Sequence, residues 1–149
     1  MKIKQQLYAF CQAFVEERIL RIEKNIKDIQ ESLTSETKSS AGDKHETGRA
    51  MLQLDREKLG QQLAEAEKMR HILFKVPLET NSEIVRLGSL VKTSKTNYYL
   101  SISAGEYKGK EQSVFCISAA TPVGRLLLGK TVGNIVVFNT DEIEILEIV

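Results

Sequence analysis

The chain has 149 residues, 42% of them hydrophobic and 28% charged, with a formal net charge of +1. That is the make-up of an ordinary globular protein of one domain or two small ones. A chain without a global basic field is not expected to take free duplex DNA or RNA as its main partner, since such binding rests on phosphate neutralisation. With no Trp, five Phe and four Tyr, a base-stacking platform is not expected either.

No stretch approaches the roughly 20 apolar residues that span a bilayer. The N-terminus from Met1 to Leu7 is basic, but Gln12, Glu16 and Glu17 break up the residues after it, so no signal peptide and no membrane partner are expected. Cys11 and Cys116 stand in unlike contexts, outside any CxxC or Cys/His cluster. They give no metal signature and read as small buried thiols in a reducing cytoplasm.

Apolar residues fall at Ile3, Leu7, Phe10 and Phe14, then at Val15, Ile19, Ile22, Ile26, Ile29 and Leu33. This is a heptad seam with one phase shift near Phe14 and Val15. No Pro or Gly interrupts Met1 to Ala41, so a long helix is expected. The opposite face is charged, with i,i+4 pairs such as Glu17 with Arg21, Glu23 with Lys27 and Lys24 with Asp28. Each is worth roughly 0.2–0.5 kcal/mol, so the seam should hold the helix.

From Thr34 to Gly42 the chain is small and polar, as in a loop, and helical periodicity resumes near Asp43. Leu52, Leu59, Leu63, Ala66 and Leu73 share a second seam, with Arg56 and Arg70 in its gaps. Two helices of about 30 residues joined by a short loop predict an antiparallel hairpin about 45 Å long. Gly48, one turn into the second helix, costs about 1 kcal/mol relative to Ala there.

Asp43 and Glu46 open the second helix three residues apart, which puts both carboxylates on one face of its first turn. An acid at the N-cap with Glu three residues on is also a variant of the capping box and suits the helix dipole. Spacing alone leaves both readings open. A metal site of Asp43, His45 and Glu46 is conceivable, but adjacent helical residues diverge, and His45 reads better as an exposed loop histidine.

Pro77 stops the second helix, and 77–83 reads as a linker. The pattern then turns to strands at Ile84–Leu87, Leu90–Thr93, Tyr98–Ser103, Ser113–Ser118, Ile135–Phe138 and Ile143–Ile148, with turns at Gly88, Lys95–Asn97 and Gly105–Gly109. Thr121 to Gly129 reads as a short helix with Thr121 as N-cap, Pro122 at the first position and Gly129 as the stop. The expected fold class is therefore α+β: an N-terminal antiparallel coiled-coil hairpin over 1–76, with a tip loop near 34–46, then a small antiparallel sheet with one short helix over 84–149. Gly129-Lys130-Thr131 ends like a phosphate loop, but an apolar helical interval precedes it and no strand leads into Gly124, so no cradle of free N–H groups is expected.

This order of elements, with Ile117-Ser118…Pro122…Leu127-Leu128-Gly129-Lys130…Gly133, resembles the GreA/GreB transcript-cleavage factors of bacterial RNA polymerase. Val85 to Val91 looks like that family's opening strand and turn, and Ile143 to Ile148 like its closing strand. Gly42-Asp43-Lys44-His45-Glu46 is similar to its tip motif, Gly-Asp-Leu-x-Glu. The resemblance implies an FKBP-like C-terminal domain docked at the rim of the polymerase secondary channel, with the hairpin inside the channel. It implies that the chain has no cofactor of its own. Asp43 would be a ligand, in trans, to a Mg²⁺ of the polymerase, and Glu46 would hold that ion or orient its water, so that backtracked RNA is cut near its 3′ end. The nuclease would be the polymerase; this chain would be an accessory factor and a cytoplasmic monomer. Two exposed carboxylates are too few ligands for Mg²⁺ alone, so negligible affinity for the free ion is expected.

This chain departs from the family pattern after the tip, where Thr47-Gly48-Arg49-Ala50 replaces Asn-Ala-Glu-Tyr. It also has Gly133-Asn134 where the family has Gly-Asp, and Ala104 to Glu111 lacks the family's Glu-Ala-Asp run. The alternative function is a non-cleaving regulator or inhibitor in the same channel. A prolyl isomerase would need an aromatic pocket built from Tyr98, Tyr99, Tyr107, Phe115 and Phe138. A plain coiled-coil module would oligomerise through leftover seam surface.

Overall fold

The computed structural model describes residues 2–38 and 43–149; the side chains of 36–38 and 43–45 lie outside the described residues. The elements are α1 (Ile3–Lys38), α2 (Asp43–Lys75), β1 (Leu90–Thr93), β2 (Asn97–Ser101), β3 (Gly105–Lys108), β4 (Ser113–Ser118), α3 (Pro122–Leu127), β5 (Ile135–Phe138) and β6 (Asp141–Ile148). Two compact units emerge: Val15–Arg70, and Met1–Phe14 together with His71–Val149. These are not the expected segments 1–76 and 84–149. The first turns of α1 belong with the sheet, and the division falls at Phe14 and Val15, where the seam changes phase.

In the unit Val15–Arg70 the seam reading holds. Val15, Ile19, Ile22 and Ile26 are buried, Ile29 and Leu33 half-buried. Across from them Ala66 is buried and Leu52, Leu59 and Leu63 are half-buried. The helices run antiparallel: Arg49 reaches Leu33, while Met69 and Arg70 reach Arg18 and Glu16. Each buried Ile or Val is worth about 1.5–3 kcal/mol. The cross-helix ion pair Arg70–Glu16, 3.4 Å long and about half exposed, is worth at most about 1 kcal/mol. Apolar burial therefore dominates. Among the described residues the three i,i+4 pairs expected along α1 do not close to ion-pair distance.

Helix α1 runs through 34–38, which the polar composition had placed in the loop. Two hydroxyls are accommodated at this end of it. Ser32 Oγ donates to the Asp28 carbonyl at 3.1 Å and Thr34 Oγ1 to the Gln30 carbonyl at 3.0 Å, so each satisfies itself four residues back within the helix.

The other unit is built on a six-stranded sheet in the order β3-β4-β2-β1-β6-β5. Every pairing is antiparallel except β2 with β4. One face packs Val91, Leu100, Val136, Ile143 and Ile145 against Val85 and against Leu127 of α3. The other face carries Leu90, Tyr99, Ser101, Val114 and Cys116, all buried. The first turns of α1 cover it: Cys11 reaches Ser101, and Phe10 meets the Tyr107 ring edge-on at 5.5 Å.

The strand at Ile84–Leu87 shrinks to one bridge, Ile84 with Thr131. Val85 exchanges backbone bonds with Lys130 and Gly129, and the chain then turns at Gly88. Gly88 has φ 90° and its Cα faces Pro77, so a side chain there would meet both strain and a collision. Residues 105–108, expected as turn, form the edge strand β3, in register with β4 from Gly105 opposite Cys116 to Lys108 opposite Ser113. Helix α3 matches expectation: Thr121 Oγ1 accepts from the Gly124 amide, Pro122 opens the helix, and Gly129 has φ 82°.

Within the expected linker, Thr80 is fixed. Lys4 Nζ donates to Thr80 Oγ1 at 2.8 Å and to the Val149 carbonyl at 3.0 Å. Burial pushes the Lys4 ammonium below its ordinary pKa, partly opposed by the charge of Glu79.

Candidate functional site

The acid pair of the hairpin sits where α2 begins. Its backbone is helical from Asp43, so Asp43 and Glu46 occupy the first turn, three residues apart. Glu46 is exposed. Residues 39–42 and the side chains of Asp43 and His45 lie outside the described residues, so the capping-box hydrogen bonds and the distance between the two carboxylates are not part of this geometry.

What positions Glu46 is better defined. One turn further on, Arg49 is half-buried and donates to the Leu33 carbonyl of α1 at 3.1 Å. That carbonyl lies near the end of α1, and its second lone pair is open to a donor from outside the helix. A charge-assisted bond of this kind is worth about 1.5–3 kcal/mol where it is shielded. It ties the start of α2 to the end of α1 close to Glu46. In the sequence Arg49 stands out only as a departure from a motif; its role in holding the two helix ends together was missed. The signal was a long donor one turn after the acid pair, facing the seam. Gly48 leaves open space beside this contact, with nothing within 4 Å of where a Cβ would stand.

Among the described residues no three His, Cys, Asp or Glu side chains gather as a metal cluster would. The chemistry open to the hairpin end is that of exposed carboxylate on a fixed helical turn. Such a group can add hard oxygen ligands to a cation held elsewhere, or accept a proton or hydrogen bond from water.

The expected phosphate-loop look-alike is a set of committed amides. Gly129 N–H donates to the Val85 carbonyl, Lys130 N–H to that of Leu127, and Thr131 N–H to Asn134 Oδ1. The aromatic residues of the sheet divide between its faces. Tyr98 and Phe115 lie together on one, ring centroids 6.5 Å apart, while Tyr99 and Tyr107 lie on the face under α1. They do not converge on one peptide-binding cavity.

The two cysteines, read as unrelated, come together. Cys11 of α1 and Cys116 of β4 are both free and buried. The Cys11 sulfur is 3.3 Å from Ser101 Oγ, and Ser101 lies two residues from Tyr99, the register partner of Cys116. The adjacent Cys116 thiol, first, and then Ser101 and the Ile102 amide lower the Cys11 pKa against the burial that raises it. Cys116 is pushed up, by the neighbouring Cys11 thiol and by burial. The Tyr99 hydroxyl beside them is buried and has no hydrogen-bond partner among the described residues.

No helix among the described residues is long and apolar enough to cross a membrane. No protein-family model and no curated protein matches the chain. Among solved structures, one titled "Structure of the transcription factor Gfh1" aligns over 90% of this chain and 90% of its own, with 18% identity and a TM-score of 0.35. A likeness at that level carries no argument about this chain.

Proposed function

We propose that this chain is an elongation factor for bacterial RNA polymerase that enters the secondary channel and stimulates cleavage of backtracked RNA. The observation that carries the reading is the start of α2 at Asp43, with Glu46 exposed in its first turn and Arg49 bonded to Leu33. Support also comes from the motif resemblance of the tip and of Ile117 to Gly133. In this reading the chain is not itself an enzyme, and its partners are the polymerase and the 3′ end of the nascent RNA.

Two carboxylates fit a partial ligand set for Mg²⁺, which favours oxygen donors and keeps several waters when few are offered. The ion, held by the polymerase, supplies charge stabilisation and a more acidic bound water. Asp43 would supply one carboxylate to that ion. Glu46, three residues on, would supply a second, sharing the ion or accepting a hydrogen bond from its water. Arg49 keeps the turn in place by its bond to α1.

The test is RNA shortening in a stalled, backtracked elongation complex, with wild type beside Asp43→Ala/Glu46→Ala. Cleavage by wild type alone, with equal polymerase affinity for both proteins, is the expected result. A change of elongation rate by both proteins, without cleavage, would instead identify a non-cleaving channel regulator. No effect of either would remove the polymerase reading.

A further inference from the structure

We propose that Cys11 and Cys116 form an oxidative modification site, at which a hydroperoxide such as hydrogen peroxide joins the two thiols in a disulfide linking the first turns of α1 to β4. The two cysteines are far apart in sequence, yet the fold sets both on one buried patch of the sheet. Residues paired across neighbouring strands project to the same side, so Cys116 projects with Tyr99, and Ser101 lies two residues past Tyr99 on that side. Cys11 descends from α1 onto this patch and meets Ser101 at 3.3 Å. Both cysteines are almost wholly covered, at 0% and 1% exposure.

Sulfur reacts as its thiolate. The Ser101 hydroxyl, 3.3 Å from the Cys11 sulfur, can donate to that thiolate, so Cys11 is the attacking sulfur and Cys116 resolves the intermediate. The Cys11 thiolate attacks one peroxide oxygen, the O–O bond breaks, and a sulfenic acid forms. The other oxygen leaves with the proton that Cys11 gave up, as water. The Cys116 sulfur then attacks the Cys11 sulfur, and its proton departs with the sulfenic hydroxyl as a second water. Two thiols and one peroxide give one disulfide and two waters, with two electrons passing from sulfur to oxygen. A water-sized oxidant suits a covered pair; a bulky disulfide such as oxidised glutathione does not.

The experiment treats the reduced, folded full chain with hydrogen peroxide or with oxidised glutathione, alkylates the remaining thiols under denaturing conditions, and maps the peptides by mass spectrometry. With peroxide the expected result is a linked Cys11–Cys116 peptide, lighter by two hydrogens and restored by dithiothreitol, with both alkylatable thiols lost. Glutathione should leave both free. In Cys116→Ser, dimedone added with the denaturant after peroxide should trap a sulfenic acid on Cys11. The proposal is overturned if peroxide that oxidises free cysteine leaves both thiols alkylatable, or if the only disulfides join separate chains. The wild-type measurement decides the matter even if Cys116→Ser does not fold.

Discussion

Replacing Gly124 with alanine should destabilise the sheet-bearing unit more than any other single methyl addition at a described glycine. A Cβ at Gly124 would run into the Ser118 carbonyl oxygen, and would stand 2.9 Å from Thr121 Oγ1 and 3.0 Å from Ala119 Cα. None of these is the free end of a flexible side chain. The Ser118 carbonyl accepts from the Thr121 amide at 3.1 Å and from its hydroxyl at 2.7 Å, and that hydroxyl accepts in turn from the Gly124 amide at 3.1 Å. Moving α3 away to admit the methyl breaks this cap and withdraws Leu127 from the core it shares with Val85 and Leu100. Overpacking costs about 1–3 kcal/mol, and a lost N-cap about 1 kcal/mol. The expected loss is therefore about 2–4 kcal/mol, read as a fall in the urea midpoint with the slope unchanged. A loss below about 0.5 kcal/mol, the scatter of neutral surface changes, would refute the steric account and mean that the turn before α3 yields freely.

The same methyl at Gly48 has the opposite expected sign. Nothing lies within 4 Å, so Gly48→Ala should stabilise the hairpin unit by up to about 1 kcal/mol, and a lowered urea midpoint would count against the helical placement of that residue. Tyr99→Phe should be neutral or stabilising, because the hydroxyl it removes is buried without a partner among the described residues; a loss above about 1 kcal/mol would show that this oxygen is satisfied in solution. Burial, then the charges of Cys11, Cys116 and Tyr8, push the folded Tyr99 phenol upward. In alkali the unfolded phenol therefore ionises first, near pH 10, and its protonated-state stability is lost as pH rises, by at most about 1.4 kcal/mol per pH unit. Wild type should lose stability more steeply than Tyr99→Phe above that pH, and parallel slopes in thermal melts would contradict the assignment.

The legibility of each feature in the sequence depends on how local it is. Helix seams repeat every few residues, so Val15 to Leu33 announced the buried face of α1 before any partner was known. The α3 cap lay in consecutive residues, Thr121 and Pro122, with Gly129 as the stop, and was read correctly. Strand β3 was not legible, because Gly105-Glu106-Tyr107-Lys108 becomes a strand only by lying against β4. The reverse error, a full strand at Ile84–Leu87, arose because the apolar pattern shows that Val85 is buried but not that Arg86 turns to bond Ser89 instead of a neighbouring strand. At the tip the residue types of the acid pair were visible, but the bond that holds its turn, Arg49 to Leu33, joins two helices and has no local signature.

The thiol pair shows the same limit in its strongest form. The apolar seam changes phase between Phe14 and Val15, yet the buried positions of α1, Lys4, Leu7, Cys11, Val15, Ile19, Ile22 and Ile26, follow one another at steps of three and four residues. At about 100° per residue such steps keep one face of the helix inward throughout. What changes along that face is the partner: up to Phe14 the helix belongs with the sheet, and from Val15 with α2. A continuous buried stripe carries no mark of such a change, so nothing local assigns Cys11 to the sheet. Cys116 is buried by its place in β4, and the parallel register of β2 with β4, which sets Cys116 opposite Tyr99, brings it to the patch where Cys11 meets Ser101.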